Sequence, residues 1–397
     1  MKSLGVAVSG GSDSMALLHL LAAGAQARGL QLHVATVDHG LRSEAATEAE
    51  TVAQVCAGLG LRHDTLTWRA WDGQGNLQAE ARNARYSLLA EWAAGLGMRH
   101  IALGHTRDDM AETFLMRLSR RAGVAGLAGM NARFWRDGVE FLRPLLSLER
   151  ADLQGYLTSR SIDWADDPSN QDETFDRVRV RNTLKKLETI GLDTEVLADV
   201  ASHMRAADEA LRLATHALGQ SAARTQSGDV LIDIDALTRA PTELRHRLIG
   251  AALRWITAAP YGPRSANLHE VLEQAMTGAT RTLHGCLMTP DKDVLRVTRE
   301  RQAVRGPVPN GALWDGRWLV SGPQDTGIGG EISALGEDIV LCAHWREAAV
   351  PRASLMASPA LRVEGRLIAA PLAKFGPEFT AKLAQDRDNF HDFLLSH

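Results

Sequence analysis

A chain of 397 residues with 45% hydrophobic side chains is long enough for two or three domains with real cores. Its net charge of −4 excludes a globally basic nucleic-acid binder, so any nucleic-acid contact must rest on a local patch. Cys56, Cys286 and Cys342 lie far apart with no Cys-x-x-Cys, which argues against a zinc site or a disulfide framework and suits a reducing cytosol. No apolar run approaches a membrane span, and Met1-Lys2-Ser3 runs into the first strand without a signal-peptide pattern, so the expected location is cytoplasmic, with no membrane partner.

Leu4 to Val8 are apolar, with β-branched Val6 and Val8, as in a strand buried on both faces. Ser9-Gly10-Gly11-Ser12-Asp13-Ser14 follows as a small-residue turn, and Met15 to Leu21 reads as the start of a helix. Strand, glycine turn and helix open a βαβ unit whose free N–H groups suit a phosphate. The turn lacks the Lys of a Walker A loop and is not Gly-x-Gly-x-x-Gly. Asp13 puts a carboxylate beside the expected phosphates, which is sensible with Mg²⁺ between them.

Leu32 to Val37 is a second strand, delivering Asp38 and His39 to the same sheet edge. Thr47 to Glu50 fits a capping box for a helix through Leu59, and His63 to Trp68 is a short strand. Asp72 to Gly75 reads as a turn, Asn76 as a helix cap, and Gln78, Arg82 and Arg85 as the solvated face of that helix. Arg99 to Leu103 is a further strand, ending in Gly104-His105-Thr106-Arg107-Asp108-Asp109-Met110-Ala111-Glu112-Thr113. A helix starting near Arg107 would gather His105, Asp108, Asp109 and Glu112 near Asp13. An acidic first turn can be simple capping, but here the group can also hold Mg²⁺ and place a proton acceptor.

Arg117, Arg120 and Arg121 follow on the same helix, where cations suit the dipole, and 123–130 is a glycine-rich connection with the look of a mobile lid. Phe141 to Leu146 is the last strand of this half, and Ser147 the cap of a helix through Arg160. Arg177, Arg179 and Arg181, with Lys185 and Lys186, form the densest positive run; as a strand the three arginines would share a face, as a helix they would spread around the axis.

Ser-Gly-Gly-x-Asp-Ser after a first strand resembles the PP-loop of the N-type ATP pyrophosphatases. Together with Val37-Asp-His-Gly-Leu-Arg42, Gly75-Asn-Leu-Gln-Ala79, Gly104-His-Thr-x-Asp-Asp-x-Ala-Glu-Thr113, Gly126-Leu-Ala-Gly-Met130 and Asp167-Pro-Ser-Asn170, it resembles the tRNA(Ile)-lysidine synthetase family over roughly the first 185 residues. Departures are Val178, Asn182 and Lys185-Lys186 in the arginine run, and Ala122-Gly123-Val124 where the family has Gly-Ser-Gly.

The resemblance implies an α/β protein: a doubly wound, mostly parallel sheet of the adenine nucleotide alpha hydrolase type, then a mainly helical domain and a small β-rich C-terminal region. The implied domains are a catalytic 1–188, a tRNA-engaging 189–305 and a reduced 306–397. The implied activity is ATP-dependent ligation of free L-lysine to C2 of the wobble cytidine of tRNA(Ile) with a CAU anticodon, through an adenylated base, with release of pyrophosphate and AMP. It implies that Ser9, Gly10, Gly11, Ser12, Asp13, Ser14, Asp38 and His39 bind ATP, and that Asp13 and Asp109 bind Mg²⁺. Asp13, His105, Asp109, Arg177 and Arg181 become the catalytic set, and Arg117, Arg120, Arg121, Arg179, Lys185 and Lys186 the tRNA contacts. Oligomeric state stays open, a dimer being one option. The alternatives are another PP-loop ATP pyrophosphatase, such as a tRNA thiolase, or a non-catalytic adenine-nucleotide-binding protein.

The second half of the chain reads as a helix over 194–218, a strand or turn over 231–237, helices over 242–258 and 266–276, a hairpin from 281–286 and 294–300, and short strands beyond.

Overall fold

The computed structural model describes all residues except 1–2, 41–43, 70–76, 166–173, 175, 324–328 and 397. The expected turn at Asp72–Gly75, the Asn76 cap and the Asp167–Asn170 segment lie outside the described residues. The chain divides into two compact units, Met1–Asp208 and Glu209–His397.

The first unit runs β1 (Ser3–Ala7), α1 (Ser12–Ala25), β2 (Gln31–Asp38), α2 (Glu44–Gly58), β3 (Arg62–Thr67), α3 (Leu77–Gly95), β4 (His100–Leu103), α4 (Arg107–Ser119), α5 (Val124–Leu127), β5 (Arg133–Arg136), β6 (Val139–Leu142), α6 (Arg150–Thr158), α7 (Asp176–Leu187) and the start of α8 (Thr194–Ala222). One six-stranded sheet has the order β3-β2-β1-β4-β6-β5. All pairs are parallel except β5 against β6. Val6 sits between Val34 of β2 and Ala102 of β4.

Alternate residues of β1 serve opposite faces, as strand geometry requires. Leu4 and Val6 join Leu17, Leu18, Val52, Leu153 and Leu157 on one face. Ala7 joins Tyr86, Leu89, Ile101 and Phe141 on the other. Full burial of one aliphatic side chain such as Val6 is worth about 1.5–3 kcal/mol, so the double covering fixes the register of β1. A third cluster joins α4, α7 and the start of α8 through Met110, Phe114, Leu184, Leu197 and Ala201.

This order makes β1 and β4 neighbours although β2 and β3 intervene in sequence. The connections from β1 and β4 therefore leave in opposite directions along the sheet, and the crevice at their carboxyl ends is where ligands of open α/β sheets bind. Two glycines make the closeness possible. Gly10 has φ +89°, a left-handed backbone that suits glycine. A side chain at Gly104 would meet the backbone of Asp13 and Ser14 at 3.0 Å.

The second unit continues α8 into β7 (Ala223–Gln226), β8 (Asp229–Asp233), α9 (Ile234–Arg239), α10 (Thr242–Thr257), α11 (Ser265–Met276), β9 (Arg281–Leu283), β10 (Cys286–Asp291) and β11 (Val294–Arg299). Its antiparallel sheet, β7-β8-β11-β10-β9, packs with residues of α10, α11 and the C-terminal helix around Trp255, Leu272, Met288 and Phe390. Then follow β12 (Val308–Pro309), β13 (Trp318–Ser321), β14 (Glu331–Ala334), α12 (Arg352–Met356), β15 (Pro359–Val363), β16 (Arg366–Ala369), β17 (Thr380–Leu383) and α13 (Phe390–Ser396). They form the β12-β14-β15-β16 and β13-β17 sheets.

Several local expectations are corrected. α2 begins at Glu44, so Thr47 lies inside the helix rather than capping it. α6 begins at Arg150 with Glu149 at its cap, not Ser147. The expected hairpin is a three-stranded meander, because Cys286–Asp291 pairs with both neighbours. The 231–237 stretch is both strand and helix, with Asp233 capping α9 through Ala236 N.

Gly104→Ala is expected to lower stability by about 1–3 kcal/mol, because its neighbours are backbone and cannot yield. Gly58→Ala, which would meet nothing within 4 Å, is expected to be neutral or stabilising. Denaturant unfolding of the two variants beside the wild type checks both.

Candidate active site

The PP-loop is braced from within. Ser14 is buried; its Oγ donates to Gly11 O (2.9 Å) and accepts from Ser9 N (3.1 Å). Its hydroxyl thus shapes the turn, while Ser9 is exposed and Ser12 Oγ donates to Asp13 Oδ1 at 3.1 Å. Gly10 O accepts from Ala165 N at 2.9 Å, tying the loop to the chain beyond α6.

Asp13 points across the crevice rather than along α1. Its Oδ2 accepts from Arg150 Nε at 2.9 Å. The same guanidinium lies 3.6 Å from Asp109 Oδ1 and 3.5 Å from Glu112 Oε1. Four elements contribute: α1 supplies Asp13, α4 supplies Asp109 and Glu112, α6 supplies Arg150, and α7 supplies Arg181, whose Nε donates to Glu112 Oε1 at 2.9 Å. Asp108 does a different job: its Oδ2 accepts from the backbone N–H of Arg150 at 2.8 Å, fastening the start of α6 to α4.

Burial pushes the Asp13 carboxyl up, against the pull of Arg150. Burial pushes Asp109 the same way, but Arg150 and the Thr106 amide outweigh it and hold that carboxyl below the usual range. Asp109 uses Oδ2 to accept from Thr106 N (2.9 Å) and Oγ1 (3.1 Å), a reciprocal cap that leaves Oδ1 facing Arg150. Glu112 is 1% exposed, and its Oε2 has no hydrogen-bond partner among the described residues.

His105 accepts at Nδ1 from Arg143 Nε, 3.2 Å away. A guanidinium can only donate. Nδ1 is therefore unprotonated, and the neutral ring carries its hydrogen on Nε2. Burial also pulls this imidazole down to about 3. Its remaining ring donor is Nε2–H. Arg143 is itself oriented by Asn131 O at 2.5 Å and by stacking 4.2 Å over the Phe134 ring.

Residues 1–188 match a family model described as a PP-loop domain. A tRNA(Ile)-lysidine synthase of Ruegeria pomeroyi is 45% identical over 398 residues, covering 100% of this chain and 94% of that protein. Those of Bradyrhizobium sp. (40% identity; 74% of this chain, 89% of the relative) and Rhodopseudomonas palustris (42%; 69% and 80%) are also similar. The chain belongs to the tRNA(Ile)-lysidine synthase family.

Of the residues that the resemblance implied, the structure gathers Asp13, Asp109 and Arg181, together with Glu112 of the 104–113 segment. Arg177 is exposed one turn before Arg181 and lowers the Asp109 carboxyl through space. Arg179 turns away to Asp176 and Thr174 O. The arginine run is therefore a helix with 177 and 181 toward the site, and Val180 and Leu184, four apart, pack into the cluster with Met110 and Phe114. Asp38 Oδ1 accepts from Gly40 N at 2.8 Å, one strand away from the PP-loop, and His39 lies edge-on to Trp68.

Arg117, read from sequence as a tRNA contact, donates Nη1 to Gly126 O (2.8 Å) and Gly129 O (2.9 Å). Arg205 Nη2 donates to Ala128 O (2.9 Å) and Met130 O (2.8 Å). The glycine-rich stretch expected to be a mobile lid is instead held by two guanidinia and contains α5. Arg120 pairs with Asp176 at 3.1 Å, while Arg121, Lys185 and Lys186 are exposed.

Sequence reasoning missed Arg143, Arg150 and Arg85. Arg143 follows the last residue of β6, a place the strand-end rule covers. Arg150 is a cation in the first turn of α6, against the dipole, and that mismatch was its signal. Arg85, read as solvated, is half-buried and senses Asp109 and Arg177.

Ring ¹⁵N spectra are expected to show His105 as the Nε2–H tautomer from pH 8 to 5, without titrating. Because its folded pKa lies below the ordinary 6.5, the unfolded chain binds the proton first as pH falls. Stability should therefore drop below pH 6.5 by up to about 1.4 kcal/mol per unit. His105→Gln should lose that increment, as measured by denaturation at several pH values.

Proposed function

We propose that this chain ligates free L-lysine to C2 of the wobble cytidine of tRNA(Ile) bearing a CAU anticodon, converting ATP to AMP and pyrophosphate. Full-length similarity to tRNA(Ile)-lysidine synthases supports the reaction class. The observation that carries the site is the convergence of Asp13, Asp109 and Arg150 beside the PP-loop at the sheet's switch point.

Mg²⁺ fits here. No group of three or more His, Cys, Asp or Glu suited to a metal occurs among the described residues, but Mg²⁺ characteristically takes one or two carboxylates and completes its shell with phosphate and water. Asp13 and Asp109 supply two such hard donors. When bound, the ion neutralises charge on the triphosphate.

The chain's residues then divide the work. The PP-loop amides and Ser9 hold the triphosphate, with Asp38 and His39 at the adjacent strand end. Cytidine O2 attacks the α-phosphorus and pyrophosphate leaves, a step that needs alignment and charge stabilisation more than covalent help. His105, fixed as a donor by Arg143, can stabilise oxygen-centred negative charge. The lysine ε-amine attacks C2, gives up a proton to a carboxylate, and the former O2 departs on AMP. The orphaned Glu112 Oε2 suits an ammonium group of lysine.

By this reading 1–188 is the catalytic domain, 189–305 engages tRNA and 306–397 is a reduced C-terminal domain. No helix among the described residues is long and apolar enough to cross a membrane. We place the enzyme in the cytoplasm with its tRNA.

A thiolase reading is disfavoured by the thiols. All three are buried, and burial pushes Cys56 to about 11 and Cys286 to about 12, far from a reactive thiolate.

Wild-type protein is expected to incorporate labelled lysine into CAU-anticodon tRNA(Ile) only with ATP and Mg²⁺. Asp13→Asn and Asp109→Asn should each reduce AMP formation at least about 100-fold while keeping cooperative melting. Lysine-independent AMP release without RNA labelling would defeat the assignment. Lys185→Ala with Lys186→Ala should weaken tRNA binding and flatten the plot of log affinity against log salt by about 0.7–0.9 per lost contact, as read by filter binding.

A further inference from the structure

We propose that Arg150 is a resident counter-cation that hands over its place: it neutralises Asp13, Asp109 and Glu112 before ATP arrives, then moves its guanidinium onto the triphosphate, freeing the carboxylates for metal. The proposal rests on reading the PP-loop as the ATP site.

Three carboxylates within reach of one guanidinium would repel each other strongly without it, since Asp13 and Glu112 are largely or wholly withdrawn from water. Arg150 supplies the opposite charge through Nε to Asp13, Nη2 to Asp109 and Nη1 to Glu112. It does so from the first turn of α6, where a cation opposes the helix dipole, so helix stability does not explain it.

The arrangement also lets the guanidinium leave. Asp13 keeps Ser12 Oγ, Asp109 keeps Thr106 N and Oγ1, and Glu112 keeps Arg181 Nε. Each acid thus retains a second partner when Arg150 withdraws. Of the neighbouring guanidinia, Arg181 stays on Glu112, while Arg107 is engaged with Glu149 and Arg143 with His105 and Asn131 O. The Arg150 backbone is anchored by Asp108, so a move is confined to the flexible side chain. Its planar fork matches phosphate oxygens, and Asp13 belongs to the helix that the PP-loop opens, placing incoming phosphates next to the guanidinium.

The same residue therefore competes with metal before the nucleotide binds and stabilises the pyrophosphate as the bond to the α-phosphorus breaks. A group that touches the leaving phosphates is catalytic in the strict sense.

The test uses the full chain and Mn²⁺ alone, followed by electron paramagnetic resonance without nucleotide. Wild type should bind Mn²⁺ weakly, Arg150→Gln about tenfold or more tightly, and Arg150→Lys in between. The KM for ATP should rise about tenfold or more in Arg150→Gln. Equal Mn²⁺ affinity in wild type and Arg150→Gln, both melting cooperatively, overturns the proposal. Should Arg150→Gln fail to fold, the wild type decides: the Arg150 ¹⁵Nε resonance should shift when metal-free ATP is added. A resonance that stays fixed while calorimetry shows ATP binding also overturns it. Failure of ATP to bind wild type at all would instead remove the PP-loop reading, leaving the Mn²⁺ comparison to judge the counter-cation by itself.

Discussion

A carboxylate taken out of water stays ionised only if something positive accompanies it. That constraint organises the first unit. Asp13, Asp109 and Glu112 come from two helices that start at neighbouring strand ends, and Arg150 stands among them. The contact that sets their separation is steric. Gly104 carries no side chain, so the turn after β4 can lie against the backbone of Asp13 and Ser14. Sheet order, glycine and guanidinium are one device: the order brings the strand ends together, the glycine lets them touch, and the guanidinium makes the shared charge tolerable.

What could be read in the sequence was what is contiguous in it. The PP-loop and the 104–113 segment each pack strand, turn and helix start into about ten residues, and each sits where a parallel strand ends. The parallel strands and α1 followed from short apolar runs, α3 from an apolar helix face, and α4 from its place at a strand end. Arg150 meets Asp13 across 137 positions, and Arg143 meets His105 across 38. No local pattern announces pairs of that span. The arginine run was ambiguous for another reason: alternation of Arg and Val suits a strand, and packing of Val180 and Leu184, four apart, chose the helix. Thr47 misled because a capping signature is only a statement about four residues, whereas the helix had begun a turn earlier.

The second unit shows the same rule about buried charge. Asp229 is buried, yet Thr298, Ser354 and Arg296 all bond its carboxylate. Arg299 and Asp315 form a buried fork. These pairs hold the strands of β8 and β11 to the segments that follow. Burial of charge alone, then, does not mark a reaction centre.

The stretch from Gly126 to Met130 carries one more consequence. Four of its carbonyls are already taken by Arg117 and Arg205, so its outline is settled before any guest arrives. A wall of that kind loses little disorder on complex formation and cannot mould itself around a misshapen visitor. Any partner that met this stretch would have to match its form, with glycine's small profile giving room and two long cations giving stiffness.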